Sequence, residues 1–181
     1  MNYILHSILA CSVIFSFSAN LQAESPRLES SKSRDALDAM QDKPAPELAL
    51  KEWINSKPLD LDSLKGKIVV LDFWATWCGP CISAVPHTNK MKKKYAKKGV
   101  VIIGVCNQRG AEKMAATVKK HGIEYPVAVD AGTNASYKVS SYPDYYVIDR
   151  RGILRWADVA NNDVEKAIEI LLREQPGKEK K

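Results

Sequence analysis

The sequence contains few of the cysteines and histidines that bind metal ions or that form the disulfides of small domains. Its 181 residues include four cysteines and three histidines, and Cys78 and Cys81 form the one C-x-x-C pair. A structural zinc site normally needs a second such pair or a closely spaced pair of histidines. Covalent haem attachment needs a histidine directly after the second cysteine, where this chain has Ile82. We therefore predict neither structural zinc nor attached haem.

The N-terminus lacks charge. The first 23 residues contain no Asp, Glu, Lys or Arg, and their apolar centre gives way to small and polar residues ending at Ala23. This layout predicts a signal peptide over residues 1–23. An uncleaved membrane anchor is the alternative, because the uncharged stretch approaches the roughly 20 residues that span a bilayer. Either way, the rest of the chain is expected to be exported or anchored outside the cytoplasm.

The chain also lacks a basic motif with interleaved aromatic residues, so we predict no nucleic-acid partner. It carries 27 Lys and Arg against 21 Asp and Glu, a net charge of +6, and six of the lysines fall within residues 90–98. We interpret this run as the solvated face of a helix. A docking patch for an acidic partner or a membrane surface is the alternative.

Apolar runs alternate with helical patterns over most of the chain. The polar residues 24–43 predict a linker with a short helix near its end, residues 44–175 a folded domain, and residues 176–181 a loose basic tail. Continuous apolar strands separated by helices predict an α/β fold, with a mixed central sheet flanked by helices, parallel early and antiparallel late. Strands are predicted at 68–73, 100–106, 126–130, 145–148 and 153–156, and helices at 78–98 with an interruption at Pro86, 111–121 and 163–173.

The stretch WATWCGPC, residues 74–81, places two cysteines at the predicted start of a helix. Residues three apart share a helix face, so the thiols of Cys78 and Cys81 lie at a separation compatible with a disulfide. Unpaired backbone N–H groups and the helix dipole favour a thiolate at this end, and Pro80 suits the first turn because it has no N–H to lose. A bridge that closes so short a loop adds little stability. We therefore predict electron exchange rather than a structural staple.

Two further residues accompany the cysteine pair. Asp72 is the one charged residue in the apolar strand 68–73. Burial would raise the pKa of Asp72 and make this residue a proton acceptor for Cys81. The alternative is a solvent-exposed Asp72 without a catalytic role. No lysine in residues 100–106 is available as its partner. Cys106 is predicted to pack in the sheet as a small apolar residue rather than to act as a third redox thiol.

These residues resemble the active site of the thioredoxin superfamily, in particular of its exported TlpA/ResA-like thiol-disulfide oxidoreductases. The motif WCGPC after a strand ending in Asp-Phe carries the resemblance, and Tyr142-Pro143 resembles the cis-proline loop of that family. The resemblance covers residues 44–173. It implies a thioredoxin fold with an extra N-terminal segment and a central αβ insertion at about residues 111–130.

The resemblance also implies a role for each residue of the motif. Cys78 would attack a substrate disulfide, Cys81 would resolve the mixed disulfide, and Asp72 would take up the proton. Gly79 and Pro80 would tune the redox potential. The redox-active Cys78–Cys81 disulfide would then serve without any cofactor or metal.

Substrate contacts and partners follow from the same resemblance. Trp77, Tyr142 and Pro143 would form the contact surface for protein thiol or disulfide substrates. The resemblance further implies a periplasmic location, a membrane electron donor and service in cytochrome c maturation. Ala84 departs from many ResA-like reductases, which carry Glu there, and Asp72 departs from the Asn that many of them have.

Two other functions remain open from the sequence. A copper chaperone on the same fold would pair two thiolates with a histidine, although the spacing expected there is C-x-x-x-C. A peroxidase is the second alternative, although Thr76 lies one residue too close to Cys78 for the peroxiredoxin T-x-x-C pattern.

Overall fold

A computed structural model describes residues 25–30 and 32–174 of the protein. Its strands are β1 (Lys43–Pro44), β2 (Leu50–Ile54), β3 (Ile68–Trp74), β4 (Val100–Cys106), β5 (Val127–Asp130), β6 (Asp144–Ile148) and β7 (Ile153–Trp156). Its helices are α1 (Arg34–Asp38), α2 (Gly79–Tyr95), α3 (Met114–His121), α4 (Thr133–Ser136) and α5 (Val164–Arg173). The predictions at 1–23 and 176–181 lie outside the described residues. In the part that is described, no helix combines the length and apolarity needed to cross a bilayer.

The strands form one mixed sheet in the order β1-β7-β6-β3-β4-β5-β2. Strands β3, β4 and β5 are parallel neighbours, whereas β6 pairs antiparallel with both β3 and β7. Parallel pairing thus comes early and antiparallel pairing late, as the sequence predicts. Strand β3 is buried along its whole length because it lies in the middle of the sheet. This burial explains its nearly continuous apolar sequence.

The sheet separates two hydrophobic clusters. Helices α2, α3 and α5 cover one face, where the cluster includes Cys78 and Cys81. Helix α1 and the residue that follows α4 contribute to the cluster on the other face, which includes Phe73. Successive side chains of a strand point to opposite faces. Asp72 therefore faces the same side of the sheet as the cysteines.

The segment predicted as a polar linker instead packs on the domain. Leu28 forms a β-bridge with Val159, and Leu37 of α1 is 1% exposed. The Arg27 guanidinium lies 2.8 Å from the carboxylate of Asp163. The prediction of a linker is thus wrong for the described residues 25–30 and 32–43, and the folded unit begins before Pro44. The composition of the segment does not reveal its contacts, because these are made with residues more than 100 positions away.

Local boundaries differ in smaller ways. Helix α2 continues through Pro86 rather than being interrupted there, and it ends at Tyr95 before a 3₁₀ turn. The predicted helix at 111–121 begins as a 3₁₀ turn and becomes α-helical from Met114. The short helix α4 and the two-residue strand β1 are not predicted from the sequence. Neither has the hydrophobic periodicity that marks a longer element.

Candidate active site

The cysteine pair lies where strand β3 gives way to helix α2. Cys78 is the N-cap of the helix, and Pro80 lies in its first turn. The two cysteines form a disulfide with their Cα atoms 5.3 Å apart, and each residue is 5% exposed. The backbone N–H of Cys81 donates to the Sγ atom of Cys78 over 3.2 Å. The predicted disulfide is therefore present at the N-terminus of a helix.

This position favours a negatively charged sulfur on Cys78 once the bridge is reduced. The first backbone N–H groups of a helix have no partner within the helix, and the helix dipole is positive at that end. Both features lower the pKa of a thiol placed there. The helix N-terminus therefore favours a nucleophilic thiolate over a thiol at this position.

Asp72 is a buried carboxyl group in the middle of the sheet. It is 4% exposed and lies opposite Tyr145 on β6 and Gly104 on β4. Burial raises the pKa of Asp72 to about 7. The hydroxyl of Tyr125 donates to its Oδ2 atom over 3.3 Å, which favours the charged form and opposes this rise. Asp72 can thus hold or release a proton near neutral pH on the face that carries the cysteines.

Tyr125 is a site residue that the sequence does not predict. It reaches Asp72 across Gly104, where an added Cβ would lie 3.0 Å from the Tyr125 ring and 2.7 Å from Val127. A side chain at position 104 would therefore displace the tyrosine. The signal in the sequence is the single glycine in VVIIGVC, because glycine inside a strand often marks a close approach. The hydroxyl of Tyr125 is the hydrogen-bond donor beside a carboxyl group that has no lysine partner from β4.

The predicted substrate-contact residues come together beside the disulfide. The Tyr142–Pro143 peptide bond is cis, as the resemblance implies. Trp77, next to Cys78, is 49% exposed and meets the ring of Tyr142 edge to face with centroids 5.8 Å apart. Side-chain amides of Asn107 and Asn134 donate to the Tyr142 hydroxyl. These contacts hold the aromatic pair in place.

The loop 107–110 after β4 is a second feature that the sequence does not predict. The indole Nε1 of Trp77 donates to the carbonyl of Arg109 over 2.8 Å, and the Thr76 hydroxyl donates to the carbonyl of Gly110 over 2.8 Å. Gly110 has a φ of +85°, and an added Cβ would lie 2.6 Å from the Thr76 hydroxyl. The loop is therefore built against the residues that precede Cys78.

The remaining sulfur and the lysine run have structural surroundings. Cys106 is buried in β4 as predicted, and burial raises the pKa of its thiol to about 12. Within the lysine run, Lys93 pairs with Glu124, and Lys94 pairs with Glu165 of α5. These ion pairs agree with the interpretation as a solvated helix face. Among residues 25–30 and 32–174, no three His, Cys, Asp or Glu side chains form a group that could hold a metal ion.

Curated relatives share the sequence over its central part. The chain is 38% identical over 114 residues to the thioredoxin-like protein YneN of Bacillus subtilis (strain 168), covering 61% of this chain and 66% of the relative. It is 38% identical over 101 residues to the thiol-disulfide oxidoreductase ResA of Bacillus cereus, covering 55% of this chain and 58% of the relative. The match therefore spans less than two thirds of either relative.

Solved structures share the fold. A crystal structure of a thiol:disulfide interchange protein DsbE from Chlorobium tepidum superposes with a TM-score of 0.65 at 29% identity, over 73% of this chain and 97% of that chain. The predicted thioredoxin fold is thereby confirmed. The sequence also matches the AhpC/TSA family over residues 42–157, which is more than half of the chain. The chain belongs to the AhpC/TSA family, within the thioredoxin superfamily, and is similar to its ResA-like thiol-disulfide oxidoreductases.

Proposed function

We propose that the protein is a thiol-disulfide oxidoreductase that reduces disulfides of other proteins through Cys78 and Cys81. One observation carries the proposal: a disulfide at a helix N-terminus and a buried Asp72 with a pKa of about 7 lie on one face of the same sheet. A structural disulfide has no need of a titratable group buried on its side of the sheet. Perturbed carboxyl groups of this kind are typical of functional sites.

The reaction is an exchange of two electrons in two steps. The Cys78 thiolate attacks one sulfur of the substrate disulfide, the substrate S–S bond breaks, and the first substrate thiolate leaves. Cys81 then gives its proton to Asp72 and attacks the Cys78 sulfur. The mixed disulfide breaks, the second substrate thiolate leaves, and the Cys78–Cys81 bond forms. The substrate is thereby reduced and the protein oxidised.

The remaining motif residues determine the direction of electron transfer and the contact with the substrate. Gly79 and Pro80 separate the cysteines, as in thioredoxin, whose reduction potential near −270 mV makes it a reductant. We therefore assign the protein to the reducing direction. Trp77, Tyr142 and Pro143 form the surface on which an extended substrate segment lies across the disulfide.

The proposal also includes the compartment in which the protein works and its partners. The uncharged N-terminus supports export or anchoring, which would place the domain in the periplasm. A dithiol that works there needs a donor for its re-reduction, and we propose a membrane-bound one. The names of the relatives ResA and DsbE support service in cytochrome c maturation.

The test is reduction of insulin disulfides by the purified protein, with dithiothreitol as the electron source. Cys78→Ser should abolish the accelerated rate, since no nucleophile remains. Cys81→Ser should accumulate a mixed disulfide on Cys78, detected by mass spectrometry. Cys106→Ala is the matched control and should keep the wild-type rate. A Cys78→Ser variant that still accelerates reduction would refute the proposal.

The same preparation discriminates against the two other functions. Tight equimolar Cu(I) binding to the reduced protein, without insulin reduction, would favour a copper chaperone. Rapid consumption of hydrogen peroxide without insulin reduction would favour a peroxidase. Insulin reduction that depends on Cys78 would exclude both as the principal activity.

A further inference from the structure

We propose that Trp77 and Arg109 form a recognition platform for substrates with an acidic side chain next to the reducible cysteine. The inference rests on the proposed disulfide exchange and deepens it by naming the substrate class. Both residues belong to the loops at the disulfide, and both are exposed.

Arg109 is fixed to Trp77 in two ways. Its backbone carbonyl accepts the indole N–H over 2.8 Å, and its guanidinium carbon lies 4.7 Å from the centre of the indole ring. A guanidinium stacked on an aromatic face keeps its in-plane N–H donors free for a carboxylate. The platform therefore presents an indole ring with a forked cation over one of its faces.

The position of the platform matches the neighbour of an attacked cysteine. Trp77 directly precedes Cys78, so a substrate sulfur bound to Cys78 brings its own flanking residues to the indole. The Tyr142 ring borders the platform through its edge-to-face contact with Trp77. A flanking side chain of the substrate thus lies within reach of Arg109.

The charge of Arg109 is not neutralised within the described part of the chain. No carboxylate of residues 25–30 or 32–174 forms an ion pair with it, including Glu112 of the same segment. The lysines of residues 90–98 cannot take its place. They lie in the C-terminal half of the 17-residue helix α2 and beyond it, about 17 Å or more along the helix axis from its first residue. Arg109 is therefore an unpaired cation within reach of a substrate at the disulfide.

The test uses peptide dimers joined by one disulfide, with Glu, Gln or Lys on both sides of the cysteine. The rate at which each dimer oxidises the reduced protein is divided by its rate with dithiothreitol, which removes intrinsic reactivity. The wild type should prefer the Glu dimer over the Gln dimer about fivefold at low salt, and less at about 0.5 M salt. Arg109→Gln should bring this ratio to about one, whereas Arg109→Lys should keep part of it.

Lys120→Gln is the matched control, because it makes the same charge change on α3 away from the platform. It should keep the wild-type ratio. Equal rates for all three dimers with the wild type, or a Glu preference that survives in Arg109→Gln, would overturn the inference and leave the proposed exchange intact. Failure of every dimer to oxidise the wild type would overturn the proposed exchange as well.

Discussion

Two buried carboxyl groups lie close together in the sheet, and they differ in the face that they occupy. Asp72 of β3 lies opposite Tyr145, whereas Asp144 of β6 lies opposite Phe73, which is the next residue of β3. They are 4% and 3% exposed. Burial raises the pKa of both groups. Asp72 points to the face with the disulfide and Asp144 points away from it.

Their neighbours differ as well. Asp72 accepts a hydrogen bond from the neutral hydroxyl of Tyr125. Asp144 lies beside a second buried carboxyl group, that of Asp158, whose negative charge raises the pKa of Asp144 further. Arg34 of the N-terminal segment approaches Asp158 to 3.9 Å. Burial and a raised pKa are therefore shared by both groups, and its place on the sheet face that carries the disulfide singles out Asp72 as the catalytic candidate.

The largest expected effect concerns activity. Asp72→Asn should slow insulin reduction at pH 7 by about 10- to 100-fold, because Cys81 loses its proton acceptor. Asp144→Asn, the matched change on the other face, should stay within about twofold of the wild type. Equal losses in the two variants would show that burial rather than position matters.

The second effect concerns stability. The pKa of Asp72 is about 7 in the folded chain, against an ordinary value of 3.8, so folding binds a proton between these values. The contribution of Asp72 to the free energy of unfolding therefore falls as pH rises from 4 to 7. Asp72→Asn should be more stable than the oxidised wild type by about 4 kcal/mol at pH 8 and equally stable near pH 4. Urea unfolding at the two pH values measures this difference, and a constant difference would contradict the assignment.

The third effect concerns stability and Asp144, on the sheet face away from the disulfide. Asp158→Asn removes the charge that raises the pKa of Asp144, so ionisation of Asp144 should cost less folding free energy. The decline in stability between pH 6 and pH 9 should be smaller than in the wild type by about 1 kcal/mol. Asn also tolerates the positive φ of 61° at this position. Urea unfolding provides the test, and Arg34→Gln, which keeps both carboxyl groups, should retain the full decline.

The smallest effect tests the hydrogen bond to Asp72. Tyr125→Phe removes a bond that favours the ionised carboxylate, so the pKa of Asp72 should rise further. The pH dependence of insulin reduction should move upward by less than about one unit, which lowers the rate at pH 7 by about two- to threefold. An unchanged profile would show that Tyr125 does not act on Asp72. In Asp72→Asn, the pH profile of insulin reduction should lack the change in rate that ionisation of Asp72 causes.

Much of the fold is predictable because its signals are local. The apolar strand at 100–106 and the hairpin strand at 153–156 coincide with the observed elements. The motif WCGPC places the cysteines at the start of a helix, because Pro80 has no N–H to lose there. The disulfide between Cys78 and Cys81 and the burial of Asp72 are predictable from equally local signals, whereas the catalytic roles of these residues stay predictions.

The linker prediction fails because its contacts are distant. Composition describes residues 24–43 as polar, yet one leucine, Leu37, is enough to anchor α1 in the core. Arg27 and Arg34 reach Asp163 and Asp158 near the other end of the chain. No pattern within the segment reports these partners.

The sequence alone determined the cysteine pair, the helix that carries it and the strand that buries Asp72. Each depends on the chemistry and spacing of residues that are close along the chain. Only the tertiary structure decided that Tyr125, 53 positions from Asp72, would reach that carboxyl group. It likewise decided that Arg109, 32 positions from Trp77, would lie on the indole. The physical reason is that strand order and sheet face determine which distant side chains meet, and neither is encoded in any single segment.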